Sequence, residues 1–420
     1  MKQTWTWLML CGLMLAAQSC NKEYFDQGKV EEILERSFHN DTVDANHTWR
    51  LMTEHSIRVT NNVPNTARIV LLSADPHESE QAELLAEQSM NGVGSASMTY
   101  SVHLALQQLY AAAVTTDGKY HVTPFNKGDA QVTLNTDAAS TQRAYAPVAQ
   151  EVYYCYCLGY PQPSATWDFN DLVLRLSRTV VDDYTLQLNV TLAAVGTTQQ
   201  EAAAIRLVGI SYDEVESLTR VDDKHFGSNE QYGRYIITEE DDLLRSRHDE
   251  AVINLFDDAH VAINTYGFDQ NGQVVRSYYN VGSLASAGYQ YHTPPTVSYL
   301  VKFRTAGRAE QVAFDKIDPF IVYGYNGAMW EIHKYTYKLD EVLFEYYGGN
   351  PFNYDTGYTW ALEVPYSWFR YPTEGNAIGS YKNGVLFGAY RERGHSFGEW
   401  AAHRDQATDW YLYPVSGAVY

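Results

Sequence analysis

Three oxygen-bearing side chains stand close together at Asp168, Asn170 and Asp171, directly before an apolar run that begins at Leu172. Hard cations such as Ca²⁺ take about six to eight oxygen ligands, and Asp and Asn side chains often supply them. The sequence lacks the central glycine and the distal glutamate of an EF-hand loop at this place. Short Asp and Asn side chains also accept hydrogen bonds from backbone N–H groups in turns. The pattern therefore predicts either a calcium site or a turn that these side chains hold rigid.

A second pattern, Gly394-His-Ser-Phe-Gly398, matches the turn that presents the serine nucleophile of α/β-hydrolases. In those enzymes the acid and the histidine follow the serine in the chain, but few residues follow Ser396 here. Glu399 stands three residues after Ser396, which is the spacing of a helix capping box. His395, Glu399 and His403 recur every four residues, and a solvated polar face explains them better than a zinc site. We therefore predict no catalytic residue in this pattern.

Cys155 and Cys157 are two residues apart, so they would share one face of a strand. A disulfide across a single residue would be strained. Two thiols supply only half of a structural zinc site. We therefore expect two buried, free cysteines, with a strained disulfide as the alternative.

Several groups of adjacent acids could suggest the paired carboxylates of a glycosidase. That chemistry needs two carboxyl groups that face each other across a cleft, which a sequence cannot show. Adjacent acids more often lie in solvated loops, which is the interpretation that we adopt. The groups are Asp222-Asp223, Glu239–Asp242 and Asp257-Asp258.

The overall composition excludes several classes of protein. The 420 residues include 51 acidic and 30 basic side chains, for a formal net charge of −21, so nucleic acid is not an expected partner. Hydrophobic residues make up 45% of the chain, which excludes general disorder. Charged residues make up only 19% and tyrosines number 34, a composition that favours strands over long helices.

The first twenty residues have the pattern of an export signal. Lys2 is followed by the short apolar run Leu8–Ala17 and then by Ala17-Gln-Ser-Cys20. The apolar run is too short to span a bilayer comfortably. A cysteine directly after such a run resembles the acylation site of a bacterial lipoprotein. We predict that residues 1–19 are removed and that Cys20 carries the lipid that attaches the protein to a membrane, with a plain cleaved signal as the alternative.

The remaining chain predicts a mainly β protein with two β-sandwich domains of jelly-roll type. Leu172, Leu174 and Leu176 alternate with polar residues, and the run Leu186–Leu192 does the same after a turn at Asp182-Asp183, which indicates an antiparallel hairpin. The predicted organisation is a signal peptide at 1–19, a tether with a short helix at 20–45, an N-terminal β domain at 46–140 and a larger β-sandwich domain at 141–420. Further strands are predicted at Ala203–Tyr212, Ala259–Tyr266, Thr296–Phe303 and Pro319–Tyr325, and helices at Glu80–Gln88 and Gly398–Asp409.

The run from Ala165 to Leu174, with Asp168-Phe-Asn-Asp171 at its centre, resembles the aspartate-rich segment of the LruC-domain family. Members of that family are outer-membrane lipoproteins of Gram-negative bacteria with a C-terminal domain of unknown function. Further similar segments are Asp318–Val322, Glu331–His333, Trp360–Pro365 and Phe369–Pro372. The family often carries an acidic segment before the aspartate motif, whereas this chain has Tyr154-Cys-Tyr-Cys-Leu158 there. The resemblance implies a location at the outer membrane, on its periplasmic or extracellular face.

These observations together predict a lipid-anchored envelope protein with a non-enzymatic binding, adhesion or structural role. The alternative is a glycan-binding module or a carbohydrate-active enzyme, and the expected partners are the membrane and a glycan or a cell-surface protein. Calcium is the one cofactor that the sequence suggests. Asp41-Thr42-Val43 resembles a bacterial O-glycosylation motif at Thr42, although a polar linker turn explains these three residues better.

Overall fold

The computed structural model describes residues 44, 46–136, 143–158, 167–227, 242–245, 249–282, 291–325, 328–334, 359–382 and 385–420. Strands dominate these residues, which confirms the prediction of a mainly β protein. The strands are β1 Met52–Asn61, β2 Thr66–Leu72, β3 Glu83–Ser89, β4 Gly94–His103, β5 Gln108–Thr115, β6 Tyr120–Asn126, β7 Gln131–Leu134, β8 Val148–Ala149, β9 Glu151–Tyr156, β10 Leu172–Val180, β11 Thr185–Val195, β12 Glu201–Ser211, β13 Val215–Arg220, β14 Leu243–Arg245, β15 Glu250–Phe256, β16 Tyr266–Phe268, β17 Val274–Arg276, β18 Thr296–Phe303, β19 Ile317–Tyr325, β20 Ala328–Ile332, β21 Ala361–Val364, β22 Ser380–Lys382 and β23 Val385–Phe387.

Helical segments are short. The α-helices of the described residues are α1 Ala259–Ala262, α2 Arg308–Gln311 and α3 Phe397–Ala402. Single 3₁₀ turns lie at Tyr212–Glu214, Val221–Asp223, Phe314–Lys316 and Trp410–Leu412.

The first β-sandwich consists of a three-stranded sheet, β4-β1-β7, and a five-stranded sheet, β6-β5-β2-β3-β8. Ile57 and Val59 of β1 share one buried core with Ile69 and Leu71 of β2, so the two sheets face each other. β8 pairs in parallel with β3, and β9 belongs to the next sandwich. The chain therefore changes sandwich between Ala149 and Glu151.

The second sandwich consists of a six-stranded sheet, β13-β18-β11-β10-β9-β21, and a five-stranded sheet, β14-β15-β12-β19-β20. The alternating leucines of β10 and β11 are all fully buried, and the two strands form the predicted antiparallel hairpin. They face the five-stranded sheet across one core, because side chains of both sheets belong to the same buried cluster. The alternation of apolar and polar residues predicted this hairpin, because one face of each strand is turned to the core.

The C-terminal residues 359–420 pack against both sandwiches. β21 extends the six-stranded sheet by pairing with β9. Trp400 and Trp410 lie in the core of the second sandwich, where they join Trp49 from the start of the first. The hydroxyl of Tyr411 lies 2.9 Å from Nδ1 of His103, at the end of β4. The C-terminal segment therefore connects the two sandwiches.

Three predicted elements differ from the structure. Glu80–Gln88 was expected to be a helix, but β3 occupies most of it because β2 and β8 pair with it on either side. Ala259–Tyr266 was expected to be a strand, but Asp258 caps a helical turn over Ala259–Ala262. The predicted helix Gly398–Asp409 is shorter and spans Phe397–Ala402.

Other predictions fall on residues that the structure does not describe. These are the signal at 1–19, the acylation site Cys20, the short helix in the tether and the glycosylation candidate Thr42. The predicted domain boundary at 140 also lies outside the described residues.

Candidate metal centre

The aspartate motif lies in the loop that leads into β10. Trp167 and Phe169, which flank Asp168, both have a positive φ near 50°, a conformation that bulky residues rarely adopt. The loop is held in this conformation by the C-terminal segment. Ile378 donates its backbone N–H to the carbonyl of Trp167 at 2.9 Å, and Gly375 donates its N–H to Oδ2 of Asp168 at 2.9 Å. The predicted role of Asp168 as an acceptor for a loose N–H group therefore fits the geometry.

Asp171 is the second carboxylate of the motif, and it accepts a short hydrogen bond of 2.6 Å from the backbone N–H of Leu158. The residue keeps some exposed surface, but its carboxyl group is enclosed. Burial, together with the charge of Asp168, raises the pKa of Asp171 well above its usual range. Oxygens of Asp168 and Asp171 and the sulfur of Cys157 lie within 4.8 Å of one another. The motif thus brings two carboxylates together at one point.

Asn170, the third predicted ligand, has a different role. Its side chain is fully buried, and Nδ2 donates to the carbonyl of Pro372 at 3.0 Å. Its Oδ1 points at Gly196, where an added Cβ would come within 2.2 Å of it. Asn170 therefore anchors the loop to the C-terminal segment and packs against the turn after β11.

Two further carboxylates belong to this region and were missed in the sequence. Glu374 directly precedes Gly375, the residue whose N–H donates to Asp168. Oε2 of Glu374 is buried and has no hydrogen-bond partner among the described residues. Glu201, the first residue of β12, is fully buried, and both of its carboxylate oxygens lack a partner within the same part of the chain. It follows the turn that begins at Gly196, whose N–H donates to the carbonyl of Asp171 at 2.9 Å. Neither glutamate stands in a recognisable motif, and only the fold brings them near Asp171.

The carboxylates of this region raise one another's pKa. Burial and the charge of Asp168 raise the pKa of Glu374 to about 8. Burial and the charges of Asp171 and Asp258 raise the pKa of Glu201 well above its usual range. We call Asp168, Asp171, Glu374 and Glu201 the acidic cluster. Burial and the neighbouring acids thus favour the protonated, neutral form of Asp171, Glu374 and Glu201.

The hydrolase-like pattern forms the predicted capping box. Ser396 is fully buried, and its hydroxyl accepts the N–H of Glu399 at 3.1 Å and donates to Oε2 of Glu399 at 2.9 Å. His395 lies before α3, and its Nδ1 is 2.8 Å from Oδ1 of Asp409. The hydroxyl of Ser396 therefore caps the N-terminus of α3.

Cys155 and Cys157 are both buried and free, as expected. Burial raises the pKa of the Cys155 thiol far above its usual range, which makes it unreactive. Cys157 instead hydrogen-bonds to the carboxyl group of Asp171.

The expectation that adjacent acids lie in solvated loops is wrong for Asp257-Asp258. Both residues are 2% exposed. Oδ1 of Asp258 caps α1 through the N–H of His260 at 2.9 Å, and its Oδ2 pairs with Arg276 at 3.1 Å. Asp258 therefore has a structural role, which the sequence could not show because its arginine partner, Arg276, is 18 residues away in the chain.

Comparison with known proteins gives one family match. A family model described as "Domain of unknown function (DUF4842)" matches residues 184–411. No curated protein matches the chain. A crystal structure from Bacteroides ovatus, named as a "putative lipoprotein", is similar with 13% sequence identity and a TM-score of 0.49, over 84% of this chain and 99% of that one.

Proposed function

Because the chain belongs to the DUF4842 family, whose function is unknown, we propose from its own residues that it is a lipid-anchored protein of the Gram-negative cell envelope with a non-enzymatic binding, adhesion or structural role. The observation that carries this proposal is the short apolar run Leu8–Ala17 that ends at Cys20. The resemblance of Asp168–Asp171 to the LruC-domain family supports the outer membrane as the location.

Anchoring by lipid suits the rest of the chain. No helix of the described residues is both long and apolar enough to cross a membrane. Buried acyl chains contribute roughly 0.8 kcal/mol per methylene group, so several chains on Cys20 hold a large folded domain firmly at a bilayer. The two sandwiches would then face the aqueous side, joined to Cys20 by the predicted tether.

A non-enzymatic role is supported by the state of the residues that most resemble a catalytic site. The Ser396 hydroxyl is buried and bonded to Glu399, so a substrate carbonyl cannot approach it. Asp257 and Asp258 are both buried, and the carboxylate of Asp258 is engaged in a helix cap and in an ion pair with Arg276.

Glycan binding is the second candidate, and exposed aromatic rings favour it. Tyr278 and Tyr291 are 52% and 59% exposed, and the pKa of Tyr278 is raised by burial and by the charges of Glu374, Asp171 and Asp168. Tyr278 therefore lies near the acidic cluster at the surface. Exposed rings of this kind stack on sugars.

The experiment that tests the anchoring is fractionation of cells that express the full chain. Wild type is expected in the outer-membrane fraction, whereas Cys20→Ala should lose its stable attachment to the membrane. Cys11→Ala is the matched control because Cys11 lies inside the apolar run, and it should fractionate like wild type. Loss of membrane attachment in Cys11→Ala, or its retention in Cys20→Ala, would contradict the proposal.

A further inference from the structure

We propose that a cleft at one end of the first sandwich binds an acidic oligosaccharide, with Arg143 and Tyr145 as its main contacts. The cleft has a volume of about 1200 Å³. It lies outside residues 184–411, which the family model matches, and it contains no residue of the acidic cluster. The inference rests on the binding role proposed above, for which it names a site and a class of ligand, and it does not depend on the lipid anchor.

Three parts of the chain form the walls of the cleft. The turn between β1 and β2 contributes residues 63–65, and the turn between β5 and β6, with the first residues of β6, contributes residues 115–121. Residues 143–146, which precede β8, form the third wall, and His77 and Thr136 complete the lining. The cleft therefore lies where separate turns of the sandwich meet.

Backbone hydrogen bonds hold these walls together. Thr116 donates its N–H to the carbonyl of Asn65 at 2.9 Å, which joins the two turns. Tyr145 donates its N–H to the carbonyl of Pro76 at 2.7 Å, which ties the third wall to the loop that carries His77. A site that is already formed loses less conformational freedom when a ligand binds. The cleft is therefore preorganised for binding.

The charged side chains of the cleft favour an anion. With the histidines neutral, the charged residues that line it are Lys119, Arg143 and Asp117, so cations outnumber acids in a chain whose net charge is −21. Lys119 pairs with Asp117 at 2.7 Å. Arg143 is exposed and forms no ion pair with any residue that the structure describes. Because a guanidinium group binds a carboxylate through two parallel hydrogen bonds, Arg143 is suited to a carboxylated ligand.

Tyr145 and the uncharged polar residues of the cleft favour a sugar. Tyr145 is 50% exposed and follows Arg143 by two residues, so a sugar ring can stack on it while a carboxylate meets the guanidinium group. Asn65, Thr116 and Thr136 are exposed in the same cleft, and their side chains offer donors and acceptors to hydroxyl groups. The lining thus combines an aromatic ring, a cation and polar groups, which together match an acidic sugar.

His121 gives an independent indication of a ligand with hydroxyl groups. This residue lines the cleft and is only 8% exposed. Its Nδ1 is buried and has no hydrogen-bond partner among the described residues. Because buried polar atoms of folded proteins nearly always have a partner, this nitrogen marks a place where a hydroxyl group of the ligand would bind.

The size of the cleft favours several linked sugars over a small ion. Its volume exceeds the range of about 300–1,000 Å³ that is typical of pockets for small ligands. Free phosphate often binds at the N-terminus of a helix, but no α-helix of the described residues borders this cleft. A nucleic acid is disfavoured because the net charge of −21 repels its phosphates. An oligosaccharide with carboxylate groups therefore fits best.

The test is titration calorimetry of the mature full chain in detergent, with tetragalacturonate, a hyaluronan tetrasaccharide and sialyllactose as acidic probes. At least one probe should bind, and methyl esters of its carboxylates should bind about tenfold more weakly because the charge is lost. Arg143→Gln should weaken binding about tenfold for the same reason, and Tyr145→Ala should weaken it several-fold because the stacking is lost. Arg58→Gln is the matched control and should bind like wild type, because Arg58 is exposed on β1 of the same sandwich but does not line the cleft.

Further controls identify the place and the kind of ligand. Tyr278→Ala should bind like wild type, because Tyr278 lies near the acidic cluster and not in this cleft. Tetraglutamate, an acidic peptide, should bind more weakly than the best saccharide. Arg143 and Tyr145 are exposed, so both variants should melt at the temperature of wild type, which separates a loss of binding from a loss of folding.

The proposal is overturned if none of the three saccharides binds, or if Arg143→Gln and Tyr145→Ala both bind like wild type. It is equally overturned if Tyr278→Ala alone loses binding, or if tetraglutamate binds as tightly as the best saccharide. Cys20→Ala should bind the saccharide like wild type, so a failure of this site and a failure of the lipid anchoring give different results.

Discussion

His333 is expected to make the stability of the second sandwich depend on pH between about 6.5 and 9. The ring is almost fully buried, with Nδ1 at 2.7 Å from Asp318 and Nε2 at 3.1 Å from Glu331. Burial alone would lower its pKa, but the two carboxylates outweigh burial and raise the pKa of His333 to about 9. The folded protein therefore holds the imidazolium more tightly than the unfolded chain does.

The size of this stabilisation follows from the linkage between proton binding and folding. A rise from 6.5 to about 9 corresponds to about 3 kcal/mol, at about 1.4 kcal/mol per pKa unit. Because the pKa is raised on folding, this stabilisation is fully present below pH 6.5 and is lost as the pH rises through 9. Protonated His333 should thus stabilise the sandwich at neutral pH.

The assay is urea unfolding of wild type and of His333→Gln at pH 6 and at pH 9.5. Since Gln cannot be protonated, the difference in unfolding free energy between the two proteins should shrink by about 3 kcal/mol between the two pH values. Glu331→Gln should reduce the same pH dependence in part, because it removes one of the two charges. A difference between wild type and His333→Gln that is the same at both pH values would refute the reasoning.

Three further substitutions test separate parts of the structure. Ser396→Ala should lower the unfolding free energy by about 1 kcal/mol, because the helix cap is lost. A fluorophosphonate probe should label neither wild type nor Ser396→Ala, and labelling of wild type at Ser396 would contradict the structural role of this serine. Glu83→Gln should raise the melting temperature at pH 8 but not at pH 4. Burial raises the pKa of Glu83 from 4.5 to about 7, so the wild-type protein loses stability as the pH rises from about 4.5 to 7. An equal effect of the substitution at both pH values would exclude this cause. Gly196→Ala should destabilise the protein by about 3 kcal/mol, because the added Cβ would lie 2.2 Å from Oδ1 of Asn170. Gly267→Ala, whose Cβ would have open space, is the control, and chemical denaturation measures both variants. Similar stabilities of the two variants would show that the contact with Asn170 can relax.

The sequence predicted those parts of the fold in which a local pattern matches the final environment. The leucines of β10 and β11 alternate because one face of each strand is buried, and the structure buries all of them. Glu80–Gln88 was expected to be a helix because its residues favour helix, whereas the pairing of β3 with β2 decides the conformation. Local preference was overruled there by contacts that are distant in the chain.

The candidate metal centre also contains residues that a local pattern reveals and residues that only distant contacts bring near. Asp168 and Asp171 are close in sequence and could be recognised from their spacing. Glu374 and Glu201 come from distant parts of the chain, and no local signal marks them. Asn170 was expected beside the aspartates as a ligand, but its amide turns to Pro372 and Gly196 because the loop is fixed from both sides. Only the fold could show that these glutamates lie near the aspartates.

Mass spectrometry of the N-terminal peptide of the mature protein tests the proposed anchoring most directly. The account predicts a peptide that begins at Cys20 and carries the added mass of acyl chains. A mature chain that begins after Cys20, or that begins at Cys20 without lipid, would contradict it.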